Sequence, residues 1–228
     1  NTMMAAALAQ GTTIIRNAAR EPEIVELQNF LNKLGARIRG AGLDTIRIDG
    51  VKKLDQEVSY RVIPDRIETG TFMVAAAITG GEVLINNTIP EHVEAVTAKL
   101  REAGVSIIEE DDRIIVTVPS SWRAVDIRTM PFPGFPTDMQ PQMMVFLSLA
   151  QGTSIITENI FENRFRHVGE LRRMGAQIRL EGRSAVITGI PHLTGTVVEA
   201  TDLRAGAALV LGGLAAENTT IIEGVQHL

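Results

Sequence analysis

AQGTTII (9–15), TGGEVLI (79–85), AQGTSII (150–156) and AENTTII (216–222) are four versions of one segment. Their third residues, Gly11, Gly81, Gly152 and Asn218, lie 70, 71 and 66 residues apart. A second block recurs behind the first, as LNKLGARIRG (31–40), LREAGVSIIE (100–109) and LRRMGAQIRL (171–180). Two independent blocks at one spacing define a repeat of about 70 residues. That exceeds the roughly 20–50 residues of solenoid and propeller repeats, so each copy is expected to be a small folding unit of its own. The chain opens inside one copy and stops inside another, and is therefore expected to be a piece of a longer protein.

Before each quoted segment stands an apolar run: MMAAALA, FMVAAAI, MMVFLSLA and AALVLGGLAA. These runs are apolar nearly all round, which predicts helices buried on every side. A Gly or Asn turn and a short β-branched strand such as TTII or TSII follow. Next comes an amphipathic helix. In the second copy Val93, Val96 and Leu100 form its apolar face, with Lys99 and Arg101 opposite. That helix stops at an LG or AG pair, where glycine adopts the left-handed cap. Two alternating strands then predict a hairpin, as in SIIEE followed by RIIVTV, with one face wet.

The order is β-α-β-α-β-β. Three such copies around their buried helices give an α/β (α+β) domain turned inside out, a barrel with helices within and sheets outside. PDRIETGTF (64–72) opens the second copy without a repeat-sized gap, and Pro64 favours a break before it. A domain crossing is expected near residue 63, dividing the chain into 1–63 and 64–228.

Composition narrows the function classes. Hydrophobic residues make up 45% and charged residues 21% of 228, as in ordinary globular proteins. A net charge of −5 with scattered Lys and Arg gives no electrostatic footprint for nucleic acid, but leaves room for a local cationic pocket. With no cysteine there is no disulfide, thiolate metal site or cysteine nucleophile in this segment. The apolar opening NTMMAAALAQ lacks a basic leader and has counterparts deep in the chain, so it reads as a repeat element. Apolar runs of about 10–14 residues are too short to cross a bilayer as helices. His92, His167, His192 and His227 show no metal-ligand spacing.

Chemistry gathers at the starts of the buried helices, PDRIETGTF, FPTDMQPQM and TDLRAGAAL. Arg66 lies 15 residues before Gly81, Asp138 lies 14 before Gly152, and Arg204 lies 14 before Asn218. Pseudo-rotation would bring such starts around one end of the domain axis. A helix N-terminus favours anions, and an arginine there works against the dipole. Arg66 and Arg204 therefore point to an anionic ligand, unless each merely reaches solvent or a nearby Asp. Asp138 and Asp202 are either plain N-caps or groups facing that same end. In ENIFENRFRHVGELRRMG (158–175), Phe161 and Phe165 beside Arg164, Arg166 and His167 either pair with a ligand or enter the core from a helix.

With NAAREPEI (17–24), PDRIETGTF, FPTDMQPQ, ITENIFENRF (156–165) and ATDLRAG (200–206) in order, the chain resembles the bacterial UDP-N-acetylglucosamine 1-carboxyvinyltransferases of the enolpyruvyl transferase family. The resemblance covers essentially the whole chain. It implies two domains of three copies each with an active site in the cleft between them, and both domains incomplete here. Residues 1–63 would be the last copy of the first domain, and 64–228 the second domain without its end.

The implied reaction moves enolpyruvyl from phosphoenolpyruvate to the 3′-hydroxyl of UDP-N-acetylglucosamine and releases phosphate. This is the first committed step of cytoplasmic peptidoglycan synthesis, on which cell-wall growth, shape and division rest. No cofactor and no metal are implied. The resemblance places Asp138 at the 3′-hydroxyl, Arg204 and the Leu203 backbone at phosphoenolpyruvate, and Asp202 where it orients that arginine or the reacting centre. Ile160 and Phe161 would wall the uridine nucleotide, Arg164 would support it, and Arg66 would add a substrate contact. The family's N-terminal Lys-Asn pair, the mobile loop carrying its Cys or Asp acid, and a C-terminal arginine are not in this sequence. The segment alone is therefore expected to be inactive. A non-catalytic repeat module gripping a nucleotide sugar or protein, and an RNA-end-processing enzyme, are the competing readings; the acidic balance disfavours the last.

Overall fold

The computed structural model describes residues 1–118 and 120–227, the last by its backbone alone. The chain divides into two compact units, Asn1–Ile63 with Pro131–Pro133, and Pro64–Met130 with Gly134–Leu228. The first contains α1 (Thr2–Ala7), β1 (Thr12–Arg16), α2 (Pro22–Lys33), β2 (Arg37–Arg39) and β3 (Thr45–Asp49). β3 runs between β1 and β2, antiparallel to both. Ile46 and Ile48 project from its inner face into a core with Met3, Ala7 and Leu31, while Thr45 and Arg47 alternate outward. Period-2 patterning thus fixes which face is dry.

In the second unit the next copy supplies α3 (Arg66–Thr79), β4 (Glu82–Asn86), α4 (Glu94–Ala103), β5 (Ser106–Glu110) and β6 (Arg113–Thr117). The third reads β-α-β-α-β-β in full: β7 (Ile127–Arg128), α5 (Gln140–Ser148), β8 (Thr153–Thr157), α6 (Val168–Arg173), β9 (Gln177–Glu181) and β10 (Ser184–Thr188). The last contains β11 (Leu193–Thr194), β12 (Val197–Glu199), α7 (Leu203–Ala215), β13 (Ala216–Glu217) and β14 (Ile221–Glu223). The expected hairpins β2–β3, β5–β6 and β9–β10 all form. The sheets are ordered β4-β6-β5 and β7-β8-β10-β9, with the short parallel pairs β11–β13 and β12–β14.

Helices α3, α5 and α7 pack on one another, while β6, β8 and β10 lay their inner faces against α3 and α5. This is the expected inside-out arrangement. Burial on every side is realised only by α5, whose nine residues are all buried. Met4 of α1, Phe72 of α3 and Val210 and Leu214 of α7 are exposed, so those helices are dry on part of their surface only. α5 has partners in both neighbouring helices and in the sheet of its own copy. The single tryptophan, Trp122, closes its far end: the indole stacks on Phe146 at 5.0 Å and donates from Nε1 to the Phe146 carbonyl at 3.0 Å.

A recurring contact joins each hairpin to the turn before its first strand. The Gly50 amide donates to Gly11 O and the Val51 amide to Ala7 O; Gly189 donates to Gly152 O and Ile190 to Ser148 O. A side chain at either glycine has no room, since a Cβ would stand 1.6 Å from the Ala9 or Ala150 carbonyl oxygen. The second copy carries Val118 at this place, donating to Gly81 O. There α3 runs two residues further than α1 or α5 and leaves through Gly80 at φ 82°. Gly189→Ala is expected to cost about 2–4 kcal/mol in urea unfolding, because a backbone carbonyl must move. Gly169→Ala in α6 meets open space and is expected to be neutral or stabilising by up to about 1 kcal/mol.

Candidate functional site

The buried helices begin in two different ways. At α3 and α7 the N-cap is an aspartate: Asp65 accepts from the amides of Ile67 and Glu68, and Asp202 from those of Arg204 and Ala205. These carboxylates satisfy helix-end amides that would otherwise lack partners. At the corresponding place before the third helix stands Pro136, followed by one turn of 3-10 helix, Thr137–Met139. Asp138, two residues inside that cap, makes no capping bond. Capping therefore holds for Asp202 and not for Asp138.

Asp138 is held from two sides. Arg164 Nη2 donates to Oδ1 at 2.6 Å and Arg204 Nη2 to Oδ2 at 2.9 Å. Burial alone would raise the Asp138 carboxyl, but Arg204 and Arg164 outweigh it and keep its pKa below the ordinary carboxylate value. The group is ionised at neutral pH and correspondingly weak as a base.

The elements that meet here are the 3-10 turn, the start of α7 and the loop 158–167 after β8. They form an open cavity of about 350 Å3 lined by Asp138, Arg164, Arg166, His167, Asp202 and Arg204, among others. With three arginines against two aspartates, one already serving its helix, the cavity favours an anion. The expectation that Asp138 and Arg204 share a pocket corresponds to a direct ion pair. Arg66 lies outside that lining, at the start of α3 beside Asp65.

Residues 158–167 are not the helix in which Phe161 and Phe165 were expected four apart; α6 begins only at Val168. Glu158, the residue after β8, is buried, and its Oε1 takes the amides of Ile160 and Phe161 at 2.8 and 3.1 Å. Phe165 packs on the core, whereas Phe161 stays about half exposed with the Arg164 guanidinium 4.7 Å from its ring centroid. Ile160 is exposed beside it. Sequence reasoning missed Glu158. Its one signal, a glutamate between a β-branched strand and a polar loop, does not separate a buried anion from a solvated one.

His167 is buried at the rear of the cavity, with no partner for Nε2 among the described residues. Burial lowers its pKa to about 4, with Arg164 adding to the effect and Asp202 opposing it. His192 is exposed with Nδ1 3.8 Å from Glu217, and the side chain of His227 lies outside the described residues.

Comparison with known proteins places these features in a lineage. The model of the EPSP synthase (3-phosphoshikimate 1-carboxyvinyltransferase) family matches residues 1–228. UDP-N-acetylglucosamine 1-carboxyvinyltransferase 1 of Carboxydothermus hydrogenoformans is 64% identical over 228 residues, all of this chain and 54% of that protein. Its namesake from Caldanaerobacter subterraneus subsp. tengcongensis is 63% identical over 228 residues, covering 100% of the chain and 55% of the relative. The crystal structure of the enolpyruvyl transferase NikO from Streptomyces tendae superposes with a TM-score of 0.85 at 28% identity, over 98% of this chain and 53% of that one. The chain thus spans about half the length of the curated relatives it matches.

The environment of His167 makes stability pH-dependent. The unfolded imidazole takes up a proton near its ordinary value of 6.5, the folded one only near 4, so the unfolded state binds more protons in that window. Stability therefore falls on acidification through it, by up to about 1.4 kcal/mol per pH unit. Denaturant unfolding from pH 7 to 4 is expected to show this extra slope in the wild-type chain relative to His167→Asn.

Proposed function

The chain belongs to the EPSP synthase family, and we propose that it is part of an enzyme that transfers enolpyruvyl from phosphoenolpyruvate to the 3′-hydroxyl of UDP-N-acetylglucosamine, releasing phosphate. The observation that carries this reading is the Asp138 carboxylate held between Arg164 and Arg204 at one cavity. The names of the relatives at 63–64% identity support the choice of acceptor sugar.

The reaction needs the hydroxyl oxygen to bond to C2 of phosphoenolpyruvate while C3 gains a proton. Loss of a proton from C3 with expulsion of phosphate then restores the double bond. A base must meet the hydroxyl, and cations must meet carboxylate and phosphate. Asp138 is the base in this scheme. Before substrate arrives, its charge is balanced by the two arginines. An incoming phosphate or carboxylate offers Arg204 a competing partner; each step of that guanidinium away from Asp138 returns proton affinity to the carboxylate, beside the hydroxyl it must deprotonate.

Asp202 fixes the first turn of α7 through the amides of Arg204 and Ala205, and so directs the arginine. The neighbouring Leu203 amide adds a donor at the same helix start. Ile160 and Phe161, with Arg164 stacked on the ring, form the wall assigned to the uridine nucleotide, and Arg66 keeps a supporting place at the start of α3. The scheme uses neither cofactor nor metal.

Asn1–Ile63 is read as the last copy of one catalytic domain and the second unit as most of the other. The remaining protein would supply the acid loop and the opposite wall. The reaction belongs to the cytoplasmic steps of peptidoglycan synthesis, and with them to cell-wall growth, shape and division. Among the described residues no helix is long and apolar enough to cross a membrane.

In the complete protein, Asp138→Asn is expected to lower kcat by roughly 10²–10⁴-fold while calorimetry finds UDP-N-acetylglucosamine affinity within a few-fold of wild type. Undiminished turnover would remove Asp138 from the chemistry. The 228-residue chain alone is expected to release no phosphate from phosphoenolpyruvate; release would overturn the need for a second wall.

A further inference from the structure

We propose that Glu158 is a positioning residue whose two oxygens separately set the nucleotide wall and the base, an inference that rests on the enolpyruvyl-transfer reading above. Glu158 is 1% exposed and lines no cavity at Asp138, so it acts only through what it holds. Oε1 accepts from Thr129 Oγ1 at 2.8 Å, Ile160 N at 2.8 Å and Phe161 N at 3.1 Å. Oε2 accepts from Thr137 Oγ1 at 2.9 Å. Thr137 precedes Asp138 in the 3-10 turn; Ile160 and Phe161 precede Arg164, which grips Asp138.

The two arms differ in consequence. On the Oε1 side Thr129 also receives the Asn159 amide at 2.8 Å, and its carbonyl receives Asn159 Nδ2 at 3.2 Å. Thr129 therefore holds the root of the loop whose tip is the Ile160–Phe161 wall. On the Oε2 side a single hydroxyl fixes the residue before the base, in a turn with no side-chain cap of its own. A buried carboxylate is costly unless its lone pairs are satisfied, and here four donors converge on it. Two of those donors are backbone amides and cannot reverse. The Thr137 hydroxyl can either donate or accept, so glutamine can replace glutamate with its oxygen in the Oε1 place and its NH2 facing Thr137.

The test uses the complete enzyme, with steady-state kinetics in both substrates and thermal unfolding in parallel. Thr129→Val releases the loop and is expected to raise KM for UDP-N-acetylglucosamine about tenfold with kcat within about twofold. Thr137→Val releases the base and is expected to lower kcat about tenfold with that KM nearly unchanged. Glu158→Ala combines both losses and Glu158→Gln recovers most of each. Should Glu158→Ala fail to fold, the two threonine variants and the glutamine variant decide alone. The proposal is overturned if the threonine variants change kcat and KM in the same proportion, if they shift only the melting temperature, or if Glu158→Gln is as impaired as both threonine changes together. Absence of turnover in wild type would instead sink the enzymatic reading, so the two failures are told apart.

Discussion

Because every residue of α5 is buried, that helix can meet solvent and ligands only at its ends. Its packing against α7 sets the start of that helix beside the 3-10 turn that carries Asp138, while the start of α3 lies outside their cavity. Two of the three starts use an aspartate to satisfy their own amides. The third has proline at the corresponding position and carries its aspartate two residues further in. Its carboxylate has no helix end to serve and is met by guanidinium groups instead. A shift of two positions separates a structural acid from a chemically available one.

That acid is restrained rather than free. Two arginines on one carboxylate leave it ionised and weakly basic, which fits the proposed scheme, in which an incoming anion draws one arginine away. The same loop that delivers Arg164 is rooted on the buried Glu158, so the path of the backbone and the placing of charge are connected. His167 behind them stays neutral because burial removes the water an imidazolium would need.

Much of the architecture was legible because it is repeated. The period between Gly11, Gly81 and Gly152, the apolar runs before them and the alternating strands after them each specify one copy, and copies reinforce one another. The hairpins and the inward helices followed directly. Uniform apolarity did not reveal that Met4, Phe72 and Leu214 stay wet, since hydropathy reports what a residue tolerates and not which neighbours reach it. Of the candidate site, Asp138 and Arg204 were legible as charged residues at equivalent places, but Arg66 at the third such place lies outside the cavity, and the pairing was not legible. Asp138 and Asp202 both stand at the start of a buried helix, and in sequence only a two-position difference in register distinguishes the ion-pair partner from the cap. Glu158 was invisible for a related reason: its burial depends on Thr129 and Thr137, more than twenty positions away, closing over it.

The stacking of Trp122 on Phe146 has a practical consequence. As the single indole of the chain sits over the last turn of the enclosed helix, ultraviolet emission excited near the red edge of protein absorption comes from one place only. The polypeptide thereby carries its own optical gauge of whether its innermost layer is intact, with no dye or label to perturb it.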